Sequence, residues 1–249
     1  GEESRDFLEK SQKVADAFNS AFFKRDHYGP ETGRNSSQTA DLLPLWAGIA
    51  KEKDAVAKHL IREVEVEHDR HLNTGIVGTR YLFDVLADIG RPDLAYAVVT
   101  QKSYPGYGYM LREGATTLWE HWEYTTTIGS HNHIMLGSVD SWFYRRLAGI
   151  SVDEKEPGFS HIVFRPGVFG PKYAAAELRT VKGLVGCEWR VDDKAGKRVL
   201  AIKVSVPVNC RGTIYLPPGS VKGADLSGPT ERGTIEVGSG VYEFEVELA

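Results

Sequence analysis

The chain has 249 residues, of which 41% are hydrophobic and 26% charged, and a formal net charge of −4. That is the profile of a globular protein long enough to bury a core and to hold one large domain or two ordinary ones. The negative charge excludes the basic footprint of a nucleic-acid or anionic-membrane partner, and no apolar run reaches the length of a bilayer span. In chain order, Phe7, Leu8, Val14, Phe18 and Phe22 recur at helical spacing and predict a first amphipathic helix. A second is predicted over Ser37–Ile49, with Pro44 confined to its first turns or to a bend. A third fits Asp54–Glu67 through Val56, Leu60, Ile61 and Val64, and a fourth fits Ile76–Ile89 through Tyr81, Leu82, Val85 and Leu86. Gly90 then supplies a left-handed cap, and Pro92 opens a fifth helix that runs to about Thr100. The last helix is predicted from Asn132, a favourable N-cap, through Leu136, Val139, Trp142, Phe143 and Leu147 to the stop at Gly149. Connections are short except for Lys102–His131, and long ordered loops of that kind tend to carry function.

After Pro157-Gly158 the period changes to that of strands. His161–Phe164, Ala176–Thr180, Val185–Val191, Val199–Val206, Gly212–Leu216, Thr234–Val237 and Tyr242–Leu248 are short and rich in β-branched or aromatic residues. Turn clusters divide them, at Asp192–Gly196, Pro217-Pro218-Gly219, Ser227-Gly228-Pro229 and Gly238-Ser239-Gly240. Two domains follow: a helical portion, residues 1–155, and an antiparallel β-sandwich, residues 156–249. The sandwich shows no catalytic cluster and reads as a packing module in preference to an accessory carbohydrate-binding one. Helices that each present an apolar stripe suit one half of a larger toroid of helical hairpins. Faces left uncovered in such a half are expected to drive self-association. The two cysteines, Cys187 and Cys210, lack metal-site spacing and are expected as buried thiols, with a disulfide across neighbouring strands as the alternative for an exported protein.

The chemistry concentrates in Gly114-Ala115-Thr116-Thr117-Leu118-Trp119-Glu120-His121-Trp122-Glu123 and Ser130-His131-Asn132-His133. Glu120 stands between two indoles, where low dielectric either raises its pKa or forces it to find hydrogen bonds. It is a candidate general acid or base; the structural alternative is an ion pair with Arg112 or Arg80. Trp119 and Trp122 suit the apolar face of a sugar ring better than a charged ligand, although their spacing lets at least one of them fill the core. Tyr107, with Tyr104 and Tyr109, is a further candidate wall with a hydroxyl to offer. Asn132 and His133 are candidate hydrogen-bonding contacts. His121, His131 and His133 lack the i, i+4 helical pair of a zinc hydrolase, so no metal and no cofactor is expected.

These blocks, together with Thr74-Gly75-Ile76-Val77-Gly78-Thr79, Trp142-Phe143-Tyr144 and Leu147-Ala148-Gly149-Ile150, resemble the C-terminal part of bacterial α-L-rhamnosidases of glycoside hydrolase family 78. The resemblance covers most of residues 30–210. It implies an (α/α)6 toroid, half of it present, followed by a C-terminal β-sandwich, and an enzyme that removes terminal α-L-rhamnose with inversion. By the same resemblance Glu120 matches the general base, His133 matches a histidine that contacts rhamnose, and Trp122 helps shape the pocket. The implied partner is a rhamnose-containing glycoside or polysaccharide. The Asp- and Arg-rich segment that holds the family's general acid has no counterpart in residues 1–30. Gly1 without a methionine accordingly reads as the start of a fragment with weak or no activity alone. Two departures stand out: a shorter loop between Glu120 and His133, and Gly106-Tyr107 where Ser-Trp is common. Two readings of other classes stay open, a toroid glycosidase or phosphorylase acting on another sugar and a non-catalytic carbohydrate-binding or structural protein.

Overall fold

Apolar residues three and four apart do build helices in the first half of the chain. The computed structural model describes residues 2–29, 38–124, 129–194, 196–222 and 233–248. Its contacts separate two units, Gly1–Val139 and Asp140–Ala249. In the first, α1 (Glu2–Phe22) keeps Phe7, Leu8, Val14 and Phe22 exposed and buries Ala15. Its Phe18 packs against Phe22 and Tyr28, with ring centroids 5.1 and 5.5 Å apart. A small hairpin that periodicity does not reveal follows, β1 (Phe23–Lys24) and β2 (His27–Tyr28), turning through Arg25 at φ 50°. The Tyr28 N–H donates to the buried carboxylate of Asp41 at 2.7 Å, and His59 Nδ1 lies 2.6 Å from the other carboxylate oxygen.

Asp41 belongs to α2 (Gln38–Trp46), which contains Pro44. The proline lies in the last turn, not the first turns, and Ile49 and Ala50 close the helix by donating to its carbonyl at 3.0 and 3.1 Å. Ser37, the predicted start, lies outside the described residues. Next come α3 (Lys53–Arg62), widening into a π-turn over Glu63–Glu67, and α4 (Ile76–Asp88). Gly90 at φ 82° ends α4, and Pro92 starts α5 (Pro92–Val99) at its first turn. Leu42, Val56, Leu60, Val64, Leu82, Leu86, Leu94 and Val98 are essentially inaccessible. Burial of each such side chain contributes about 1.5–3 kcal/mol.

Two elements differ from expectation. Within the long segment a short helix forms, α6 (Tyr107–Arg112), too brief to show a period. The last predicted helix is not one helix. It runs as a 3₁₀ turn over Ile134–Ser138, α7 (Val139–Trp142) and a π-turn over Phe143–Ala148, ended by Gly149 at φ 91°. His133 flanks its start in place of Asn132, and no side chain caps it. The tight stretch lies where Leu118 presses on Gly137, at which a Cβ would come within 3.0 Å of Leu118 Cδ1.

The second unit holds β3 (Ile150–Val152), β4 (His161–Phe164), β5 (Tyr173–Thr180), β6 (Gly183–Lys194), β7 (Lys197–Val206), β8 (Arg211–Tyr215), β9 (Gly219–Lys222), β10 (Thr234–Val237) and β11 (Gly240–Leu248). They form one sheet ordered β10-β8-β4-β3 and another ordered β5-β6-β7-β11-β9. Pairing is antiparallel as expected, apart from β4 and β8, which run parallel from His161↔Arg211 to Phe164↔Ile214. The predicted set lacked β3 and β9. The latter has a single large apolar residue, Val221, and starts at Gly219, where a Cβ would sit 2.1 Å from the Glu247 carbonyl oxygen. The predicted turn at Asp192–Gly196 is largely strand, since β6 continues to Lys194; Ala195 and the turn at Ser227-Gly228-Pro229 lie outside the described residues.

Phe164, Val185, Trp189, Leu200, Ile202, Ile214, Phe244 and Val246 alternate inward to form the core between the sheets. Cys187 and Cys210 are free and buried, and burial pushes the Cys187 thiol up to about 12. The buried His161 is placed between Asp153, 2.8 Å from Nδ1, and Thr213, 2.7 Å from Nε2. Its ring therefore links β4 to β8 through Thr213. No helix among the described residues is long and apolar enough to cross a membrane.

Candidate active site

Glu120 lies on a segment with no regular secondary structure that is nevertheless pinned by paired backbone groups. Its N–H donates to the Ser130 carbonyl at 2.9 Å, and the His133 N–H donates to the Leu118 carbonyl at 2.8 Å. The Thr117 hydroxyl adds a bond to the His131 carbonyl. The stretches 117–120 and 130–133 are thereby zipped together, which brings the two most chemically loaded blocks of the sequence side by side. The Ser130 N–H donates to Glu120 Oε2 at 2.9 Å, and His133 Nδ1 stands 4.0 Å from the same oxygen.

Both side chains are about one-third accessible. The Ser130 amide holds the Glu120 carboxyl below the usual glutamate range, and the neighbouring His133 and His121 add to the effect. Of the two outcomes open to a carboxylate between indoles, hydrogen bonding is the one realised, and the group is an anion at neutral pH. The alternative of an arginine partner is not realised: Arg112 bonds Glu113 at 3.2 Å, and Arg80 lies over the Tyr81 ring.

The aromatic candidates separate. Trp122 is half-buried, and its indole N–H donates to the Thr74 carbonyl at 2.8 Å. The Tyr107 ring meets it edge-on, with centroids 5.1 Å apart at 89°. The Tyr107 hydroxyl, expected as a group to offer, donates to the Leu136 carbonyl at 2.7 Å, and burial raises its pKa. Tyr107 is thus a buttress for Trp122. Trp119 is 3% exposed and packs with Met110 and Leu136, flanked by Tyr109, Tyr124 and His131. It is the indole of the pair that fills the core. Asn132 is exposed beside His133, its N–H bonded to Ser130 Oγ at 3.1 Å.

Three contributors were not among the candidate site residues, although Ser130 and Thr74 lie within the quoted blocks. Thr74 anchors Trp122 through its carbonyl, and its hydroxyl bonds Thr79 at 2.8 Å. The fully buried Gln38 clamps the preceding loop, donating to the His71 carbonyl at 2.9 Å and accepting from the Asn73 N–H at 3.0 Å. Ser130 acts mainly through its backbone. Among the described residues, no group of three or more His, Cys, Asp and Glu side chains is arranged to hold a metal ion. The arrangement offers an ionised carboxylate with one oxygen fixed, an imidazole beside it, and a rigidly set indole in the same unit.

Comparison with known proteins bears on this geometry. Residues 1–147 match the bacterial alpha-L-rhamnosidase 6 hairpin glycosidase domain, and residues 149–237 match the bacterial alpha-L-rhamnosidase C-terminal domain. An alpha-L-rhamnosidase of Streptomyces avermitilis is 30% identical over 99% of this chain and 24% of its own length. One of Formosa agariphila is 33% identical over 83% of this chain and 22% of its own. The chain therefore spans about a quarter of the length of these curated relatives. Among solved structures, an alpha-L-rhamnosidase from Dictyoglumus thermophilum superposes with a TM-score of 0.87 at 42% identity, covering 98% of this chain and 29% of that one. The Streptomyces avermitilis enzyme complexed with L-rhamnose gives 0.82 at 28% identity, covering 98% and 24%.

Proposed function

The chain belongs to the family of bacterial α-L-rhamnosidase six-hairpin glycosidases, and on that premise we propose that it carries the base half of an inverting α-L-rhamnosidase site, with Glu120 activating the attacking water. The observation that carries this reading is the carboxylate of Glu120 held ionised by the Ser130 N–H, with His133 4.0 Å away. A general base must reach the reaction deprotonated and fixed in direction. Because its pKa is depressed, the base is competent throughout the neutral range. The rate falls only as pH drops through that lowered value.

In this reading His133 hydrogen-bonds a rhamnose hydroxyl, Asn132 lines the rim beside it, and Trp122 offers its ring to the apolar sugar face. Tyr107 and the Thr74 carbonyl fix that ring. Trp119 supports the site from beneath. Inversion also needs an acid, with the two carboxyls roughly 6.5–9.5 Å apart. No acidic residue within 1–30 stands in a context that matches the family's acid.

The test follows from that asymmetry. Alkyl α-L-rhamnosides, whose leaving oxygen needs a proton, are hydrolysed by this chain at background rates. α-L-Rhamnosyl fluoride, whose fluoride leaves without one, is hydrolysed measurably. Glu120→Gln lowers that rate by about 10²–10⁴-fold, the usual contribution of a general base. A Glu120→Gln chain as fast as the parent contradicts the assignment, and faster turnover of another glycosyl fluoride would move the substrate class away from rhamnose. The exposed Phe7, Leu8 and Val14 of α1 support self-association of the chain in solution, which light scattering reads as a mass above that of the monomer; a clean monomer at high concentration removes it.

A further inference from the structure

Every polar group of Ser130 is engaged with Glu120 or with the turn that follows. Its N–H donates to Glu120 Oε2 at 2.9 Å, its carbonyl accepts the Glu120 N–H at 2.9 Å, and its hydroxyl accepts the Asn132 N–H at 3.1 Å. The residue before it is Gly129, at φ +102°, a conformation that glycine adopts at little cost and other L-residues avoid. A Cβ there would lie 2.8 Å from His121 Cδ2 and 3.7 Å from Glu120 Oε2. Glycine is therefore favoured by the backbone angle, and a larger residue would in addition displace the exposed His121 ring. The titratable groups that face the Glu120 carboxylate are His121 and His133. Glu120 Oε1 takes no hydrogen bond from any described residue.

We propose that the Gly129–Ser130 peptide is the positioning element of Glu120: its N–H locks Oε2 in place, which turns Oε1 toward the water to be activated. This rests on Glu120 being the base. A backbone donor suits the task because a peptide N–H has no rotamers to lose, so Oε2 is held before substrate arrives. Gly129 is the residue that lets this peptide approach. Ser130 contributes its amide, and its hydroxyl only shapes the turn to Asn132.

The experiment is an NMR pH titration of the 249-residue chain, following the Glu120 carboxyl carbon and the Ser130 amide proton. The expected result is one shared midpoint, below that of an ordinary glutamate, with the Ser130 amide response absent in Glu120→Gln. Gly129→Ala raises the Glu120 midpoint toward the ordinary value and uncouples the amide. Ser130→Ala, which keeps the amide, leaves both unchanged. A Ser130 amide indifferent to Glu120, or a midpoint unmoved by Gly129→Ala, overturns the proposal. Should Gly129→Ala fail to fold, the parent, Ser130→Ala and Glu120→Gln spectra decide alone. The titration is read without turnover, so its outcome is separate from the fluoride hydrolysis that tests whether Glu120 is the base.

Discussion

Carboxylates are held in two different ways in the two units. On the open face of the β5-β6-β7-β11-β9 sheet, Glu243, Glu245 and Glu247 face Lys203, Lys194 and Lys197 at 3.0, 2.6 and 2.6 Å, the lysines well exposed and Glu247 about one-third accessible. Such pairs contribute about 0–1 kcal/mol and leave long side chains free to swing. In the helical unit, Glu120 is bonded by a backbone N–H whose position is fixed by a second bond running the other way. Exposure does not separate the two classes, because Glu120 is about as accessible as Glu247. The partner does. A mobile cation merely solvates a carboxylate, whereas a peptide amide aims it.

That contrast can be broken or sharpened by substitution. The largest effect is expected in the sandwich core, where Trp189 is fully buried and its indole N–H donates to the Leu147 carbonyl at 3.0 Å. Trp189→Ala should cost about 3–5 kcal/mol, read from chemical unfolding of the β unit; a loss below 1 kcal/mol would mean that the inter-sheet core is not what holds that unit. Tyr107→Phe keeps the ring against Trp122 but removes the donor to the Leu136 carbonyl. A loss of about 0.5–1.5 kcal/mol in the helical unit is expected, and no loss would argue against the buttress. Lys203→Ala should fall at the small end, within about 1 kcal/mol and shrinking as salt is added. A larger effect would show that the exposed pairs do more than solvate.

Legibility in the sequence follows from how local each determinant is. The helices α1, α4 and α5 were readable because apolar spacing, Gly90 and Pro92 act within a turn or two of themselves. The break after His133 was not, since it accompanies the contact of Leu118 with Gly137, nineteen residues apart in sequence by number. The parallel pairing of β4 with β8 is likewise a tertiary choice that alternation in either strand does not encode. In the candidate site, the residue types of Glu120, His133 and Trp122 announce chemistry. The fate of Trp119 and of the Tyr107 hydroxyl depended on neighbours and had to be seen. The Ser130 amide is the least legible part, because every non-proline residue carries the same N–H.

The most direct measurement of the central claim is the anomeric form of the first product released from α-L-rhamnosyl fluoride, followed by proton NMR before mutarotation. With Glu120 activating water on the face opposite the departing fluoride, β-L-rhamnose appears first, and its formation disappears in Glu120→Gln. Release of α-L-rhamnose first, or β-product that persists without the carboxylate, would contradict the assignment of Glu120 as the base of an inverting site.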